Sequence, residues 1–163
     1  MTALLFGNRV LSEGAPIIKS VYVEKIYLSD SGPKVSPAIY GFYRWAGADV
    51  TAEKMEQVVQ LCLEQGINTF DHGDTYGGYA CEELFGSVLR NSGIKRENLV
   101  LFTKCGINIP HPSRPEYRVT HYDTSREHII HSLENSLRNL RTDYIDVFLL
   151  NQLDPLSNLE ETA

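Results

Sequence analysis

The stretch Ile67-Asn-Thr-Phe-Asp-His-Gly-Asp-Thr-Tyr-Gly-Gly78 decides how this chain is organised. It has the pattern of a short buried strand that runs directly into a glycine-bearing turn. Asp71 lies at the end of the predicted strand and Tyr76 lies at the turn. In α/β proteins the strand is rigid and the following loop faces solvent, so chemistry is often built there. We therefore expect Asp71 and Tyr76 to belong to one active site.

The segments around this stretch predict three amphipathic helices. Apolar residues recur with helical period from Thr51 to Gly66, with Thr51 as the N-cap and Gly66 as the C-terminal stop. The same spacing predicts a second helix from Cys81 to Gly93. Thr124-Ser-Arg-Glu127 is a capping box that opens a third helix. The predicted inward face of that helix consists of Ile130, Leu133, Leu137 and Leu140.

Strand patterns alternate with these helices. Residues 21–38 alternate apolar and polar positions around a turn, which predicts a hairpin. Residues 37–45 predict a strand that ends in aromatic residues. Residues 99–103 and 144–150 are nearly continuous apolar runs, which are typical of strands buried on both faces. Between these two runs, residues 105–122 form a segment that is longer than an ordinary connection. We expect this loop to lie over the site.

The order of a hairpin followed by alternating strands and helices predicts an α/β fold with a parallel sheet. Two architectures fit this order, an open doubly wound sheet and part of a (β/α)8 barrel. A dinucleotide-binding open sheet needs Gly-x-Gly-x-x-Gly after its first strand, and Gly41-Phe-Tyr-Arg-Trp-Ala-Gly47 does not supply it. The sequence therefore favours the barrel.

Length and composition limit the function classes. The 163 residues allow one domain, and the net charge of -6, without long runs of one sign, argues against nucleic-acid binding. No apolar run approaches the roughly 18 residues of a membrane helix. Three cysteines without Cys-x-x-Cys spacing indicate no metal site and a reduced, cytoplasmic setting. Residues 1–20 have no clear period, and we interpret them as an N-terminal extension, either disordered or the product of a misplaced start codon.

Four polar residues fall at or just after the carboxyl ends of predicted strands: Asp71, Tyr76, Lys104 and Asn151. In a barrel these ends share one mouth. A free phenol has a pKa near ~10, and an adjacent ammonium group lowers it. We expect Lys104 to act in this way on Tyr76, and Asp71 to hold Lys104. A phenol tuned in this way can protonate a carbonyl oxygen.

Several motifs together resemble the aldo-keto reductases, especially their bacterial oxidoreductase branch. They are the hairpin, Phe70-Asp-His-Gly-Asp-Thr-Tyr-Gly-Gly-Tyr-Ala-Cys-Glu-Glu83, Thr103-Lys-Cys-Gly106, the helix from His128 to Leu140 and Asp143-Tyr-Ile-Asp146. The resemblance covers residues 21–163. It implies the N-terminal half of a (β/α)8 TIM barrel of about four βα units, preceded by a β-hairpin.

The resemblance also implies a function. Asp71, Tyr76 and Lys104 match three members of the family's catalytic tetrad, with NADPH as the hydride donor and an aldehyde or ketone as the small-molecule substrate. The segment from Gly41 to Arg44, which includes Phe42 and Tyr43, matches a loop near the nicotinamide, and Asp71 is expected to contribute to the same cofactor site. Taken alone, each of these residues is more often a packing or loop residue, so the pattern carries the assignment.

Two departures from the family pattern leave an alternative open. Asn151 stands where the family has a histidine, and asparagine donates hydrogen bonds but carries no proton near neutral pH. Some branches, including the potassium-channel β-subunits, also carry asparagine there. A (β/α)8 barrel takes about 250 residues and places its phosphate site in the second half. The alternative is a truncated, catalytically impaired half-barrel that associates with itself through exposed sheet edges.

Overall fold

The computed structural model describes residues 24–46, 50–152 and 160. The N-terminal extension, residues 1–20, lies outside the described residues. The predicted hairpin is confirmed, with β1 (Ile26–Tyr27) antiparallel to β2 (Lys34–Val35). Its turn is closed by the Gly32 N–H, which donates to the Ser29 carbonyl at 3.1 Å.

A parallel four-stranded sheet forms the centre of the described chain. Its order is β3 (Ile39–Gly41), β4 (Thr69–Asp71), β5 (Val100–Cys105) and β8 (Val147–Leu150). All three pairings are parallel, as the sequence predicts. Strand β3 is shorter than the predicted strand over residues 37–45 because the chain turns away after Phe42. There the Trp45 N–H donates to the Phe42 carbonyl at 3.0 Å.

The helices lie where the apolar periods predict them. They are α1 (Ala52–Glu64), the single irregular turn α2 (Tyr76–Tyr79), α3 (Cys81–Asn91) and α4 (Arg126–Leu140), with a 3₁₀ turn at Arg96–Asn98. Thr51 caps α1 as expected, because its hydroxyl accepts a hydrogen bond from the Lys54 N–H at 3.3 Å. None of the helices in the described ranges is long and apolar enough to cross a membrane.

The helices α1, α3 and α4 all pack on one face of the sheet. The main core joins residues from these helices to residues from the strands, and its members include Met55, Val59, Phe70, Phe85, Leu101 and Leu140. The opposite face carries a smaller buried cluster of Val35, Val100 and Phe102. A doubly wound sheet has helices on both faces, whereas a barrel has them only outside. The arrangement is therefore that of a partial (β/α)8 barrel.

One expectation about α4 was wrong and another was correct only in part. The N-cap is Ser125, not Thr124, because the Ser125 hydroxyl accepts from the His128 N–H at 3.3 Å. Of the predicted inward residues, Leu140 is buried and Leu133 and Leu137 are half-buried, but Ile130 is 40% exposed, and the buried positions also include Ser132 and Ser136. The backbones of α3 and α4 come very close at Gly86, where a Cβ atom would lie 2.0 Å from the Asn139 carbonyl oxygen.

The long segment after β5 is more ordered than a simple loop. Its ends pair as two short antiparallel strands, β6 (Ile107–Asn108) and β7 (His121–Tyr122). The sequence lacks a strand-length apolar run there, so neither strand is readable from periodicity. The pairing fixes both ends of the segment beside the carboxyl end of β5.

Candidate active site

Asp71 and Lys104 come from neighbouring strands. Asp71 is the last residue of β4 and pairs with Phe102 of β5, and Lys104 lies two residues further along β5. Residues two apart on a strand point to the same face. Both side chains are therefore presented at the carboxyl edge of the sheet by rigid elements, as the sequence predicts.

The Lys104 ammonium group connects the polar groups of the site to one another. It donates hydrogen bonds to the Asp71 carboxylate, to the His72 carbonyl at 2.9 Å and to the Tyr76 hydroxyl at 2.9 Å. An ammonium has three donors, so all three are used. The Lys104 and Asp71 side chains are only 15% and 23% exposed. The ion pair is partly shielded from water, which strengthens it relative to an exposed pair.

Tyr76 reaches Lys104 from the turn after β4. Its ring meets the edge of the Tyr43 ring at a centroid distance of 5.3 Å. Burial is the largest influence on its pKa and raises it above the ordinary value of 10.0. The hydrogen bond and charge of Lys104 lower the pKa as expected, but Asp71 and Tyr43 add to the upward shift. The expected net lowering was therefore wrong, because burial outweighs the ammonium group.

Asn151 lies at the same edge but is not joined to the other three side chains. It directly follows β8, and its N–H donates to the Cys105 carbonyl at 2.7 Å. Within the described part of the chain its side chain makes no hydrogen bond. The amide group is half-buried and its donors remain available.

The predicted cofactor loop divides into a buried and an exposed part. Gly41 pairs with Asp71 across β3 and β4. The Phe42 ring is wholly buried and stacks on the His72 ring at 4.6 Å, and its backbone N–H donates to the Asp71 carbonyl at 2.9 Å, so Phe42 packs within the protein rather than facing a ligand. Tyr43 is 70% exposed beside Tyr76, and Arg44 is exposed next to it.

Sequence reasoning missed a group of buried polar residues behind the site. Glu82 is 2% exposed and accepts a hydrogen bond from the Thr103 hydroxyl at 2.6 Å. Asp74 donates its backbone N–H to the Lys104 carbonyl at 3.0 Å. Burial first and Glu82 second raise the pKa of the Asp74 carboxyl to about 7. A signal existed for Glu82, because it lies one helical turn before Phe85 on the apolar face of α3.

The three cysteines, Cys62, Cys81 and Cys105, are all buried and free. Burial is the main cause that raises the pKa of Cys62 to about 11 and that of the other two thiols to about 12. A buried thiol with a raised pKa is a poor nucleophile. The cysteines therefore take no part in the chemistry of this site.

A partial (β/α)8 barrel with a Tyr–Lys–Asp cluster at the carboxyl ends of its strands is the framework of a class of oxidoreductases. The family model of the aldo/keto reductase family matches residues 38–163, and the chain belongs to that family. This confirms the resemblance drawn from the motifs.

Individual relatives agree with this assignment. The chain is 47% identical over 128 residues to the uncharacterized oxidoreductase YcsN of Bacillus subtilis (strain 168), a match that covers 78% of this chain and 43% of that protein. It is 39% identical over 142 residues to the 6-dehydroglucose reductase of Agrobacterium fabrum, covering 86% of this chain and 48% of that one. The solved holo form of the aldo-keto reductase AKR11C1 from Bacillus halodurans superposes with a TM-score of 0.72 at 28% identity, covering 86% and 44%. The chain thus spans about half the length of these relatives.

Proposed function

We propose that this chain carries the proton-donating half of an NADPH-dependent reductase of aldehydes or ketones. The observation that supports it best is the position of the Lys104 ammonium group between the Tyr76 hydroxyl and the Asp71 carboxylate. An acid, a cation that can stabilise its conjugate base and an orienting carboxylate within hydrogen-bond reach form the geometry of a general acid.

The proton comes from Tyr76. Its raised pKa keeps the phenol protonated at neutral pH, so the resting site is ready to donate. When the hydroxyl gives its proton to the carbonyl oxygen, the phenolate that remains lies beside Lys104 at the distance of the present hydrogen bond, 2.9 Å. Asp71 holds the ammonium group in this place and balances its charge in the resting state. The product is the alcohol, and solvent returns the proton to Tyr76.

Asn151 is assigned an orienting role. Its amide group can donate a hydrogen bond to the substrate oxygen, but it cannot transfer a proton. No described residue takes up that donor, and the backbone places Asn151 at the same sheet edge as Lys104. The proposed acid is therefore Tyr76 alone.

The exposed part of the first loop fits a planar cofactor ring. The Tyr43 ring offers an exposed aromatic face directly beside Tyr76. Gly41 pairs with Asp71 across β3 and β4, so its backbone lies beside the Asp71 carboxylate. We assign the nicotinamide end of NADPH to Gly41, Tyr43, Arg44 and Asp71, with the buried Phe42 holding this loop in place. When bound, NADPH would supply the hydride to the carbonyl carbon.

The test is NADPH oxidation with a panel of aldehydes and ketones, comparing Tyr76→Phe with the parent chain. Loss of the general acid should reduce turnover by at least about a hundredfold. Tyr27→Phe, an exposed tyrosine of the hairpin, is the matched control and should leave turnover unchanged. Unchanged turnover in Tyr76→Phe would contradict the proposed acid. A fluorescence titration with NADPH reports cofactor binding independently of turnover.

The second candidate function is a non-catalytic half-barrel that associates with another copy of itself. Within the described residues, β3 and β8 each pair with one strand only, and unpaired edges can accept a further strand. Light scattering coupled to size-exclusion chromatography decides between the two. A monodisperse monomer that binds NADPH tightly counts against self-association.

For the setting of the protein we propose the cytoplasm. The supporting observation is that three cysteines are reduced and buried without any disulfide in the described chain. Free thiols of this kind are compatible with a reducing compartment.

A further inference from the structure

The backbone after Tyr76 adopts an unusual conformation. Gly77, Gly78 and Tyr79 follow one another with φ of 62°, 67° and 68°. Glycine adopts this left-handed region freely, but the Cβ atom of tyrosine disfavours it. Such a residue persists only when its surroundings fix it. The question is what fixes Tyr79.

A single hydroxyl group ties the turn to the segment after β5. The Tyr79 hydroxyl accepts a hydrogen bond from the Ile109 N–H at 2.8 Å and donates one to the Ile109 carbonyl at 2.9 Å. Ile109 directly follows β6, whose position is fixed by pairing with β7. One side chain thus satisfies both backbone groups of a residue 30 positions away.

Close packing surrounds the two glycines. At Gly78 a Cβ atom would lie 2.6 Å from His111 Nε2, and at Gly77 it would lie 2.7 Å from the Trp45 carbonyl oxygen. The His111 ring also packs on the Tyr79 ring at 5.8 Å, and the Arg114 guanidinium lies over that ring at 5.1 Å. The turn is therefore held between the loop after β3 and the segment after β5.

Tyr76 depends on this support because it begins the turn. Its own N–H is bonded to the Gly73 carbonyl at 3.0 Å, while the Tyr79 N–H makes only a long 3.4 Å contact with the Thr75 carbonyl. Two glycines between Tyr76 and Tyr79 leave the intervening backbone free to rotate. The Tyr76 side chain is 8% exposed within the main core, and the Ala80 N–H bonds to the Tyr76 carbonyl, so the anchor at Tyr79 adds to these contacts by fixing the backbone that follows Tyr76.

We propose that Tyr79 is a positioning residue of this site, whose hydroxyl fixes the turn against Ile109 and thereby keeps Tyr76 within hydrogen-bond distance of Lys104. Tyr79 acts through Tyr76 and touches no substrate. Its catalytic consequence rests on the proposed function of Tyr76, whereas its structural consequence does not.

The experiment compares Tyr79→Phe with Tyr117→Phe in the full chain. Phenylalanine keeps the ring and removes the hydroxyl. Tyr117 lies in the same segment with its ring on His121, and in the described chain its hydroxyl makes no hydrogen bond, so it is the matched control. Tyr79→Asn is a second variant, because asparagine tolerates a positive φ better than other residues and removes the anchor without backbone strain.

Three readouts are used. In Tyr79→Phe the Ile109 amide should exchange its hydrogen at least about tenfold faster, since its acceptor is lost. The ring-carbon resonance of Tyr76 and its titration midpoint should shift in both Tyr79 variants. Turnover should fall by about ten- to a hundredfold with the KM for NADPH unchanged, as expected for a misplaced catalytic group. The control should match the parent chain throughout.

The outcomes separate the two proposals. Unchanged exchange at Ile109, or faster exchange with an unchanged Tyr76 resonance, would overturn the role of Tyr79. Full turnover in Tyr79→Asn would also overturn it. If the parent chain reduces no carbonyl compound, the proposed function fails, and the exchange and resonance measurements still decide the role of Tyr79.

Discussion

His72 is a wholly buried imidazole at the centre of an aromatic cluster. Its ring stacks on Phe42 at 4.6 Å and meets Phe85 edge-on at 4.4 Å. Among the described residues neither ring nitrogen has a hydrogen-bond partner. Burial first, and the charge of Lys104 second, lower its pKa from 6.5 to about 3. The folded protein therefore holds this side chain neutral.

This gives a prediction for the pH dependence of stability. Between about pH 6.5 and about pH 3 the unfolded chain binds a proton at His72 that the folded chain does not. The contribution of His72 is intact above about pH 6.5 and is lost as the pH falls, by up to about 1.4 kcal/mol per pH unit. Urea unfolding should show that, as the pH falls from about 7 to about 4.5, the free energy of unfolding decreases less for His72→Phe than for the parent chain.

The comparison must be made as a difference between variants. Asp74 has a raised pKa, so its contribution runs the other way and is lost as the pH rises from 3.8 to about 7. Subtracting the His72→Phe curve from the parent curve removes this shared contribution. His131→Gln, at an exposed position of α4, is the control. Parallel curves for the parent chain and His72→Phe would contradict the prediction.

The chemistry of individual residues was largely readable from the sequence. Asp71, Tyr76 and Lys104 were placed together because carboxyl ends of parallel strands share one edge, and this follows from topology alone. The direction of the Tyr76 pKa shift was not readable, because it depends on how much water the surrounding turn excludes. The packing of His72 was not readable either, because its stacking on Phe42 joins positions that no local pattern connects.

At the scale of elements, α3 and α4 touch through their backbones. A Cβ atom on Gly86 would lie 2.0 Å from the Asn139 oxygen and 2.9 Å from the Leu140 carbonyl carbon. These are backbone atoms, so no side-chain rotation relieves the contact. The crossing is therefore specific to glycine at this position.

We predict that Gly86→Ala destabilises the protein. Alanine is intrinsically better in a helix by about 1 kcal/mol, but overpacking a closed contact costs about 1–3 kcal/mol or more. Because the contact involves backbone, the second effect should win, with a net loss of at least about 1 kcal/mol in urea unfolding. Arg90→Ala, exposed on the same helix, should change stability little. Equal or greater stability of Gly86→Ala would show that the helices can separate freely.

Helix positions were predictable and helix faces less so. The apolar period that predicts α1 and the cap at Thr51 both depend on neighbouring residues only, and both predictions were correct. The face of α4 was correct only in part, because the burial of Ser132 and Ser136 depends on packing against residues far away in sequence. The strands β6 and β7 were missed because pairing, rather than residue pattern, defines them.

At the scale of the whole molecule, Arg96 joins two distant parts of the chain, the segment that leads into β5 and the connection before β8. Its guanidinium donates to the Thr142 hydroxyl at 3.1 Å, the Leu99 carbonyl at 3.0 Å and the Tyr144 carbonyl at 3.0 Å, and it pairs with Asp146 at 2.7 Å. Asp146 in turn accepts from the Leu101 N–H at 2.8 Å. The group fixes the connection before β8 against the start of β5.

Arg96→Lys should therefore destabilise the protein although the charge is kept. Lysine cannot reproduce the planar set of donors, so two or more acceptors lose their partner, at a cost of about 2–4 kcal/mol. Urea unfolding measures this loss. Arg138→Lys, at an exposed position of α4, is the matched control. A loss below about 0.5 kcal/mol in Arg96→Lys would indicate that water replaces the guanidinium contacts.

The choice between barrel and doubly wound sheet could be predicted only indirectly. The sequence disfavoured the doubly wound sheet because a glycine motif is missing after β3. The structure decides the question by placing α1, α3 and α4 on one face. That face is set by connections between distant residues, such as Glu82 with Thr103 across α3 and β5, which a single sequence does not reveal.

The all-parallel sheet has a consequence for the order of folding. Its strands pair Ile39 with Thr69, Thr69 with Val100, and Phe102 with Val147, so each pairing closes a long segment of chain. Contacts of this kind give a high contact order and form slowly, whereas the β1–β2 hairpin is local. Asp71 lies on β4 and Lys104 lies on β5, so their ion pair joins two strands of one such long-range pairing. It should therefore appear only when the sheet itself assembles.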